Sequence, residues 1–447
     1  MNISLQKPLK QPIHKLKTFI KIFFQISYRY KKSAYCTRRI SMNKITIPFL
    51  FLLPMLVISK PEKAICVVPV ADLLSEKIQP NKKRTILEAY KNIPASITIK
   101  KGASSDNINE WSRALQLLYN EQVTILAQED EQCYIETPYW NLMPLNRKNN
   151  RFWTLTSNLR PINLIGPEER KGLPAKKNDK LANTSTMTLK DFFYCPETKL
   201  TYLAGTRFSI KGRMTNGDFK ILIYDPVLKQ LITSRVPGEI GIRENNPIFS
   251  LDNRFSTYRR SAFLKTVRGW TESLEKVIPY VLGGASAGEK LSTKNITLQK
   301  KTKNYVDLYT LSSYPYYPYQ GLDCSSLVRC ACQIAGIPLY AINTSSIAST
   351  LNKLPLNDYP ENGDLIYWKG HIAIISDIQK GLLIEARGYD HGYGFVHEIP
   401  FNQELQGIQT TNDLVTAYRK KRKINRIDKW GQKRETITDL TILKLPV

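Results

Sequence analysis

A cysteine that opens a predicted helix and a histidine that opens a predicted strand constrain this chain more than any other feature. Residues 321–328 are Gly-Leu-Asp-Cys-Ser-Ser-Leu-Val, and residues 361–375 are Glu-Asn-Gly-Asp-Leu-Ile-Tyr-Trp-Lys-Gly-His-Ile-Ala-Ile-Ile. Asp323 is a residue type that caps helices. The apolar residues after it recur at helical spacing up to Gly336, namely Leu327, Val328, Ala331, Ile334 and Ala335. A thiol and an imidazole so placed are the two groups that a cysteine hydrolase needs.

Cys324 falls in the first turn of the predicted helix, where free backbone amides and the helix dipole favour negative charge. This position predicts a lowered thiol pKa and a reactive thiolate. The alternative is an inert core cysteine, which we predict for Cys330 and Cys332. Metal binding by the three cysteines is disfavoured, because they would point in different directions from one helix and form no Cys-x-x-Cys pair. We therefore predict no metal site.

His371 begins a strand that leads through a polar loop, residues 376–380, into a second strand, residues 381–386. If Ile375 lies opposite Gly381 in a hairpin, His371 lies opposite Glu385. Directly opposed Cβ atoms are about 4.5–5.5 Å apart, so the carboxylate would orient the imidazole as in a catalytic triad. The alternative is a solvated glutamate at a strand end. His391 and His397 are alternative bases, and we predict both as loop or surface residues.

The chain upstream consists of short β-branched and aromatic runs between polar turns, which predicts small β modules. A first module spans residues 65–147 and includes runs at 67–73, 117–126 and 133–137. A second module with its linker spans residues 148–255, where Asn216-Gly217 predicts a hairpin. The periodicity then becomes helical over residues 264–281. We assign residues 256–447 to the domain that carries Cys324 and His371.

The pattern of the N-terminal sequence predicts that the protein is exported. Residues 1–41 form a basic tail that we predict is not native to the mature protein, since Met42 is a second candidate start and begins a charged segment. The apolar run 45–59 is shorter than the roughly twenty residues of a spanning helix. We predict a signal peptide at 42–64 with cleavage near Ala64, and a cell-envelope or periplasmic location. Lipidation of Cys66 is disfavoured because Ile65 precedes it.

The net positive charge of the chain predicts that its partner is an anionic surface. Of the net charge of +27, ten come from residues 1–41, which contain ten Lys and Arg and no acidic residue, so the rest of the chain carries +17. Such an excess suits a cell-wall polymer or a membrane. We predict no nucleic-acid partner, since no nucleic-acid motif is present, and membrane contact only through the signal segment. The seven cysteines leave at least one free thiol.

Three motifs within residues 260–447 together resemble the NlpC-type papain-like cell-wall peptidases. Pro279-Tyr280-Val281-Leu282-Gly283-Gly284 is similar to the family's Pro-Tyr-x-Trp-Gly-Gly, with leucine in place of tryptophan. Asp323-Cys324-Ser325-Ser326-Leu327-Val328 is similar to its Asp-Cys-Ser-Gly-Leu-Val. Gly363-Asp364-Leu365, followed by Gly370-His371-Ile372-Ala373-Ile374, is similar to its Gly-Asp-Leu and Gly-His-Val-Gly-Ile.

The resemblance implies an α+β papain-like domain that hydrolyses γ-D-glutamyl–diamino acid bonds in peptidoglycan stem peptides. We also predict that the protein is a monomer and that the thioester mechanism needs no cofactor. It implies Cys324 as nucleophile and His371 as base, and Glu385 occupies the third polar position. Substrate contacts are implied for four residues: Tyr280, Asp323, Ser325 and Ser345. Ser345 ends Asn343-Thr344-Ser345, the counterpart of the family's Arg-x-Ser.

The two upstream modules resemble the bacterial SH3-like barrels that often precede this enzyme. Residues 67–73 and 117–123 carry that resemblance. Two other functions stay open for the C-terminal domain. One is a catalytically inactive peptidoglycan-binding protein, suggested by Leu282 and the missing arginine. The other is an acyl or amide transferase, because a thioester also permits transfer to an amine.

Overall fold

The computed structural model describes residues 61–74, 77, 113–137, 150–170, 173–174, 186–225, 228, 230–243, 253–273, 275–288, 291–292, 321–339, 341–388 and 392–447. These residues lie in one compact unit, residues 59–447. The predictions for the basic tail, the apolar run and His391 lie outside the described residues. None of the helices in the described part of the chain is long and apolar enough to cross a membrane.

The first module is a seven-stranded antiparallel sheet. Its strands are β1 (Glu62–Cys66), β2 (Val70–Leu74), β3 (Arg113–Leu118), β4 (Gln122–Glu129), β5 (Gln132–Glu136), β6 (Arg151–Leu155) and β7 (Leu159–Pro161). They are ordered β3-β2-β6-β5-β4-β1-β7. The edge strands β3 and β7 are not paired with each other in the described residues, so an SH3-like barrel is not confirmed. Both β6 and β7 lie beyond the predicted boundary at 147.

Two details of this sheet differ from the sequence prediction. The run 117–126 is two strands, because the chain turns at Tyr119-Asn120, where Asn120 adopts a φ of 66°. Asparagine tolerates this left-handed conformation better than most residues. In addition, Ala64, the predicted cleavage position, lies inside β1, which pairs with both β4 and β7. Cleavage there would divide a strand in the interior of the sheet.

The second module contains a short helix, a two-stranded hairpin and a five-stranded antiparallel sheet ordered β13-β12-β11-β8-β14. Its elements are α1 (Pro167–Arg170), β8 (Thr186–Leu189), β9 (Phe193–Cys195), β10 (Leu200–Tyr202), β11 (Arg207–Arg213), β12 (Phe219–Asp225), β13 (Gln230–Val236) and β14 (Gly241–Arg243). The predicted hairpin at Asn216-Gly217 joins β11 to β12, with Gly217 at a φ of 89°. In the part of this module that the structure describes, the edge strands β13 and β14 do not pair with each other, so a second barrel is not confirmed.

The C-terminal domain packs helices against a five-stranded antiparallel sheet ordered β22-β21-β20-β19-β25. Its helices are α2 (Ser256–Gly269), α3 (Cys324–Ile334), α4 (Thr344–Thr350) and α5 (Thr411–Arg419). Its strands are β15 (Lys276–Val277), β16 (Ala285–Ser286), β17 (Leu291–Ser292), β18 (Gly321–Leu322), β19 (Leu365–Trp368), β20 (His371–Asp377), β21 (Leu382–Ala386), β22 (Val396–Pro400), β23 (Ile424–Ile427), β24 (Lys433–Ile437) and β25 (Thr441–Leu443). The chain is thus α+β, with more sheet than helix in its described residues.

The helix predicted at 264–281 is shifted. The observed α2 begins at Ser256 and ends at Gly269, and residues 276–277 form β15 instead. One core lies between the helices and the central sheet, and includes Phe263 and Val267 of α2, Leu327 and Ala331 of α3, and Ile374 of β20. α3, which starts at Cys324, is therefore held directly against the strand that starts at His371.

The first module makes a buried polar contact with the C-terminal domain through Gln116 of β3. Gln116 is fully buried, donates to Asp72 Oδ1 at 2.7 Å and accepts the Ala285 amide at 3.0 Å. Around it, Val70, Leu118, Leu203 and Ala285 form a small apolar cluster drawn from both β modules and the C-terminal domain. Because a buried amide needs a partner, Gln116 fixes the segment that follows Gly283-Gly284.

Candidate active site

Cys324 is the first residue of α3, as predicted. Asp323 caps the helix: its Oδ1 accepts the Ser326 amide at 2.7 Å, and the Ser326 hydroxyl accepts the Asp323 amide at 2.7 Å. This reciprocal capping box satisfies two backbone donors that a helix end would otherwise leave free. Asp323 Oδ2 also accepts the Gly283 amide at 2.9 Å. The cap therefore fixes Cys324 and joins it to the Gly283-Gly284 segment.

Two glycines let the chain pass close to the strand before Cys324. A Cβ atom added at Gly284 would lie 2.4 Å from the Gly321 carbonyl oxygen, and one at Gly321 would lie 2.3 Å from the Pro279 oxygen. Both contacts are with backbone and below any tolerable separation. The glycines are thus explained by close approach of two backbones, and they place Tyr280 beside Leu322 in a parallel bridge.

The Ile372 amide of β20 lies close enough to the Cys324 sulfur to act on its pKa, which it lowers. Ile372 directly follows His371, so the sulfur and the imidazole approach the same strand end. Cys324 is 8% exposed. The lowered thiol pKa predicted from the helix position is wrong: burial, with the negative charge of Asp323 in second place, raises the pKa of Cys324 to about 12. The dipole and the Ile372 amide do not offset that desolvation.

His371 and Glu385 are in contact, although the predicted register is wrong. His371 Nε2 lies 2.6 Å from Glu385 Oε2. The strands pair with Ile374 opposite Ile384 and Ile375 opposite Leu383, and a bulge precedes Asp377. On the His371 side of the bulge, the observed register differs from the predicted one by two residues, which keeps each side chain on its original face. His371 and Glu385 are consequently diagonal neighbours on one face.

The histidine is buried and uncharged in this environment. It is 6% exposed, and burial together with the charge of Arg426 lowers the pKa of His371 to about 4. The Glu385 bond opposes that shift. Since a carboxylate only accepts hydrogen bonds, Nε2 carries the proton and Nδ1 keeps a lone pair. The neutral ring is therefore in the tautomer of a general base that acts through Nδ1.

His397 is not a surface residue, contrary to the prediction. It is 2% exposed on β22, directly opposite Glu385 of β21. Its Nε2 lies 3.1 Å from Glu385 Oε1. The sequence contains a signal for this position, since His397 falls between the apolar residues Phe395 and Ile399 on one face of a strand pattern. The burial of both faces of the sheet was not visible from that pattern.

A buried ionic network behind Glu385 was not predicted. Arg387 and Arg426 each donate to a different oxygen of Glu404, which is fully buried. Arg387 Nη1 also lies 3.9 Å from Glu385 Oε1. The Arg426 guanidinium lies 5.1 Å from the centroid of the Trp368 ring, which is 4.9 Å from that of His371. Because these residues are far apart in sequence, only the fold brings their charges together.

The four residues predicted to contact substrate do not share one environment in the structure. Ser325 donates to Asp323 Oδ1 at 2.8 Å, so both residues are engaged within the protein and are buried. Tyr280 is half-buried and packs against the core that contains Cys324. Ser345 is half-buried in the first turn of α4. No described contact joins Ser345 to Cys324 or His371.

One cluster of side chains has metal-like spacing. Ligand atoms of His371, Glu385 and Glu404 lie within 4.8 Å of one another, and no cysteine belongs to such a group among the described residues. Both oxygens of Glu404 already accept from Arg387 and Arg426. Two guanidiniums thus supply the positive charge that a cation would bring, so these residues do not fit a metal centre.

The raised thiol pKa predicts how Cys324 will react with iodoacetamide. In the free protein, alkylation is expected to be slow at pH 7 and to rise about tenfold per pH unit through pH 8–10, because only the thiolate reacts. Peptide masses identify the labelled cysteine, and a Cys324→Ala variant gives the background rate. A rate that is already constant near neutral pH would contradict this and indicate a preformed thiolate–imidazolium pair.

The site combines a cysteine at a helix N-terminus with a histidine–carboxylate pair on the adjoining antiparallel sheet, which defines an α+β protein with a buried Cys/His/Glu centre. No family model matches this chain. No curated protein matches it either.

Solved structures overlap with it at low identity. A NlpC/P60 family protein from Bacillus cereus ATCC 10987 is 16% identical, with a TM-score of 0.49 over 76% of this chain and 94% of that one. NlpC1 from Trichomonas vaginalis is 12% identical, with a TM-score of 0.27 over 77% and 89%. The peptidoglycan hydrolase RipB from Mycobacterium tuberculosis is 15% identical, with a TM-score of 0.24 over 45% and 71%.

Proposed function

We propose that this protein is a cysteine peptidase that hydrolyses the γ-D-glutamyl–diamino acid bond of peptidoglycan stem peptides. The observation that carries the proposal is the position of the Cys324 sulfur, at a helix N-terminus and against the strand end where His371 is held by Glu385. These are the nucleophile, base and orienting group of a triad. The choice of bond rests on the resemblance of the three motifs to NlpC-type peptidases.

The resting thiol and imidazole are both neutral, which determines the first step. Because the pKa of Cys324 is raised to about 12 and that of His371 is lowered to about 4, proton transfer must accompany attack. The sulfur bonds to the amide carbonyl carbon as its proton moves to His371 Nδ1. The imidazolium stays paired with Glu385, and free backbone amides at the start of α3 stabilise the oxyanion.

The remaining steps restore the site. The His371 imidazolium gives its proton to the departing amine, the carbon–nitrogen bond breaks and a thioester remains on Cys324. His371 then removes a proton from water, which attacks the thioester and releases the stem-peptide acid and the free thiol. No cofactor takes part in these steps.

Product masses test the proposal. We expect the full chain to convert disaccharide tripeptides and tetrapeptides to disaccharide dipeptides, with release of the diamino acid portion. Disaccharide dipeptide is the control and should stay unchanged. Intact substrates would overturn the proposal in favour of an inactive wall-binding protein, and masses that place the cut at another bond would overturn its specificity. A product that has gained an added amine would favour a transferase.

The proposal includes export to the cell envelope, since the chain's positive excess suits anionic wall polymers. The apolar run 45–59 ends before β1. Signal cleavage before Glu62 would leave that strand intact, whereas cleavage after Ala64 would not. Cys66 is fully buried and its thiol lies 3.3 Å from the Val68 carbonyl oxygen, which disfavours lipidation there. N-terminal sequencing of exported protein tests the position.

A further inference from the structure

The carboxylate of Glu385 lies between two imidazoles. Its Oε2 contacts His371 Nε2 at 2.6 Å, and its Oε1 contacts His397 Nε2 at 3.1 Å. The three residues lie on the adjacent strands β20, β21 and β22, and all are buried. The proposed triad uses only the first of these two contacts, so His397 has no role in it.

The hydrogen bonds of His397 determine its protons. Its second nitrogen, Nδ1, lies 2.9 Å from the Phe395 carbonyl oxygen. A carbonyl oxygen and an ionised carboxylate can only accept, so each ring nitrogen of His397 must donate. A neutral imidazole has a single N–H and cannot satisfy both bonds. We propose that His397 is an imidazolium in the folded protein and that it holds Glu385 ionised and oriented, which keeps His371 the neutral base.

The surroundings of His397 are compatible with a cation. Glu385 faces it from β21, and the ring of Tyr393 lies 4.7 Å away at 87°, with that of Phe395 at 5.7 Å. A cation is attracted to aromatic rings at such distances. Burial raises the pKa of Glu385, but the bonds from the two imidazoles and the charge of Arg387 prevail and lower it well below its usual value. The proton therefore belongs to His397 and not to the carboxylate.

The other charged groups around Glu385 are compatible with a positive charge on His397. Arg387 lies 3.9 Å from Glu385 Oε1 but donates mainly to Glu404, which also binds Arg426. Arg426 in turn binds Glu435 at 3.0 Å. With His397 charged, these groups comprise three cations and three carboxylates, and His371 is the neutral member. His397 is a positioning residue, because it reaches the reacting atoms only through Glu385.

Nitrogen-15 NMR of the full chain, labelled at its histidine rings, tests the protonation without reference to activity. His371→Gln and His397→Gln variants assign the two signals. At pH 7 we expect both ring nitrogens of His397 to carry protons, and His371 to carry one, on Nε2. A neutral His397 ring at pH 7 would overturn the proposal.

The catalytic consequence rests on the proposed function and is tested by the pH profile of hydrolysis. His397→Gln keeps a donor toward Glu385 but removes the charge, so the pKa of His371 should rise. In the profile of kcat/KM against pH, the acidic limb is the fall in rate at low pH. We expect the midpoint of this acidic limb to increase by about one pH unit. Glu398→Gln, on the same strand, is the control, and we expect it to leave the midpoint pH of the acidic limb unchanged.

The outcomes separate the two proposals. An unchanged acidic limb in a folded His397→Gln variant would overturn the positioning role, and circular dichroism establishes whether that variant is folded. If the native chain hydrolyses no muropeptide, the proposed function fails, while the NMR measurement still decides the charge of His397.

Discussion

A Cys324→Ala variant is expected to lose muropeptide hydrolysis by a factor of roughly 10⁵ or more, because no other group of the site can form the acyl intermediate. The helix cap, the His371–Glu385 pair and the backbone amides would remain, and they alone supply little rate. The measurement is the rate of dipeptide product formation by the two proteins at equal concentration.

Cys332→Ala is the matched control, since it removes the same atom from the same helix. Cys332 is fully buried in the core between α3 and the sheet. We expect its substitution to lower stability by about 1 kcal/mol through a small cavity and to leave the rate within about tenfold. Comparable activity in native protein and Cys324→Ala would disprove the nucleophile assignment. Equal losses in both variants would indicate a general effect on folding.

A Glu404→Gln variant is expected to lower the free energy of unfolding by about 3–5 kcal/mol, because it leaves two buried guanidiniums without their shared carboxylate. The side chains of Arg387 and Arg426 are only 2% and 5% exposed. Burial and the charge of Glu385 raise the pKa of Glu404 to about 8, and the two arginines that donate to its oxygens oppose that shift. We nevertheless expect Glu404 to be ionised at pH 7, because each of its oxygens accepts from a guanidinium that does not release its proton. Urea denaturation measures the difference.

Glu435→Gln provides the comparison for this experiment. Glu435 also binds Arg426, but its side chain is 43% exposed. An exposed ion pair contributes less than about 1 kcal/mol, so this variant should unfold almost as the native protein does. If Glu404→Gln were equally mild, Glu404 would already be protonated at neutral pH, since glutamine resembles a neutral carboxyl group.

The local features of the site were predictable from sequence. Asp323 as helix cap, the start of α3 at Cys324 and the turn before His371 each follow from residue types at adjacent positions. Such signals work because capping and strand alternation are decided within a few residues. The contact between His371 and Glu385 was also expected, and the face was retained because the observed register differs from the predicted one by two residues.

The electrostatics of the site could not be predicted in the same way. The pKa of Cys324 depends on burial by residues from several elements, and that burial outweighs the helix dipole that the sequence displays. His397, Arg387, Glu404 and Arg426 meet only because β21, β22 and β23 are brought together by the fold. Residue types at adjacent positions do not specify whether the upstream sheets close into barrels, because closure depends on pairing between distant strands.

The contact of Gln116 with Ala285 has a practical consequence for anyone who wishes to shorten or recombine this protein. A fragment that begins at residue 256 would lose the side chain that accepts the Ala285 amide and the apolar neighbours Val70, Leu118 and Leu203. The segment that follows Gly283-Gly284 would then lose both its buried hydrogen-bond acceptor and the apolar side chains that cover it. The smallest portion that retains an intact centre is therefore expected to include both upstream sheets.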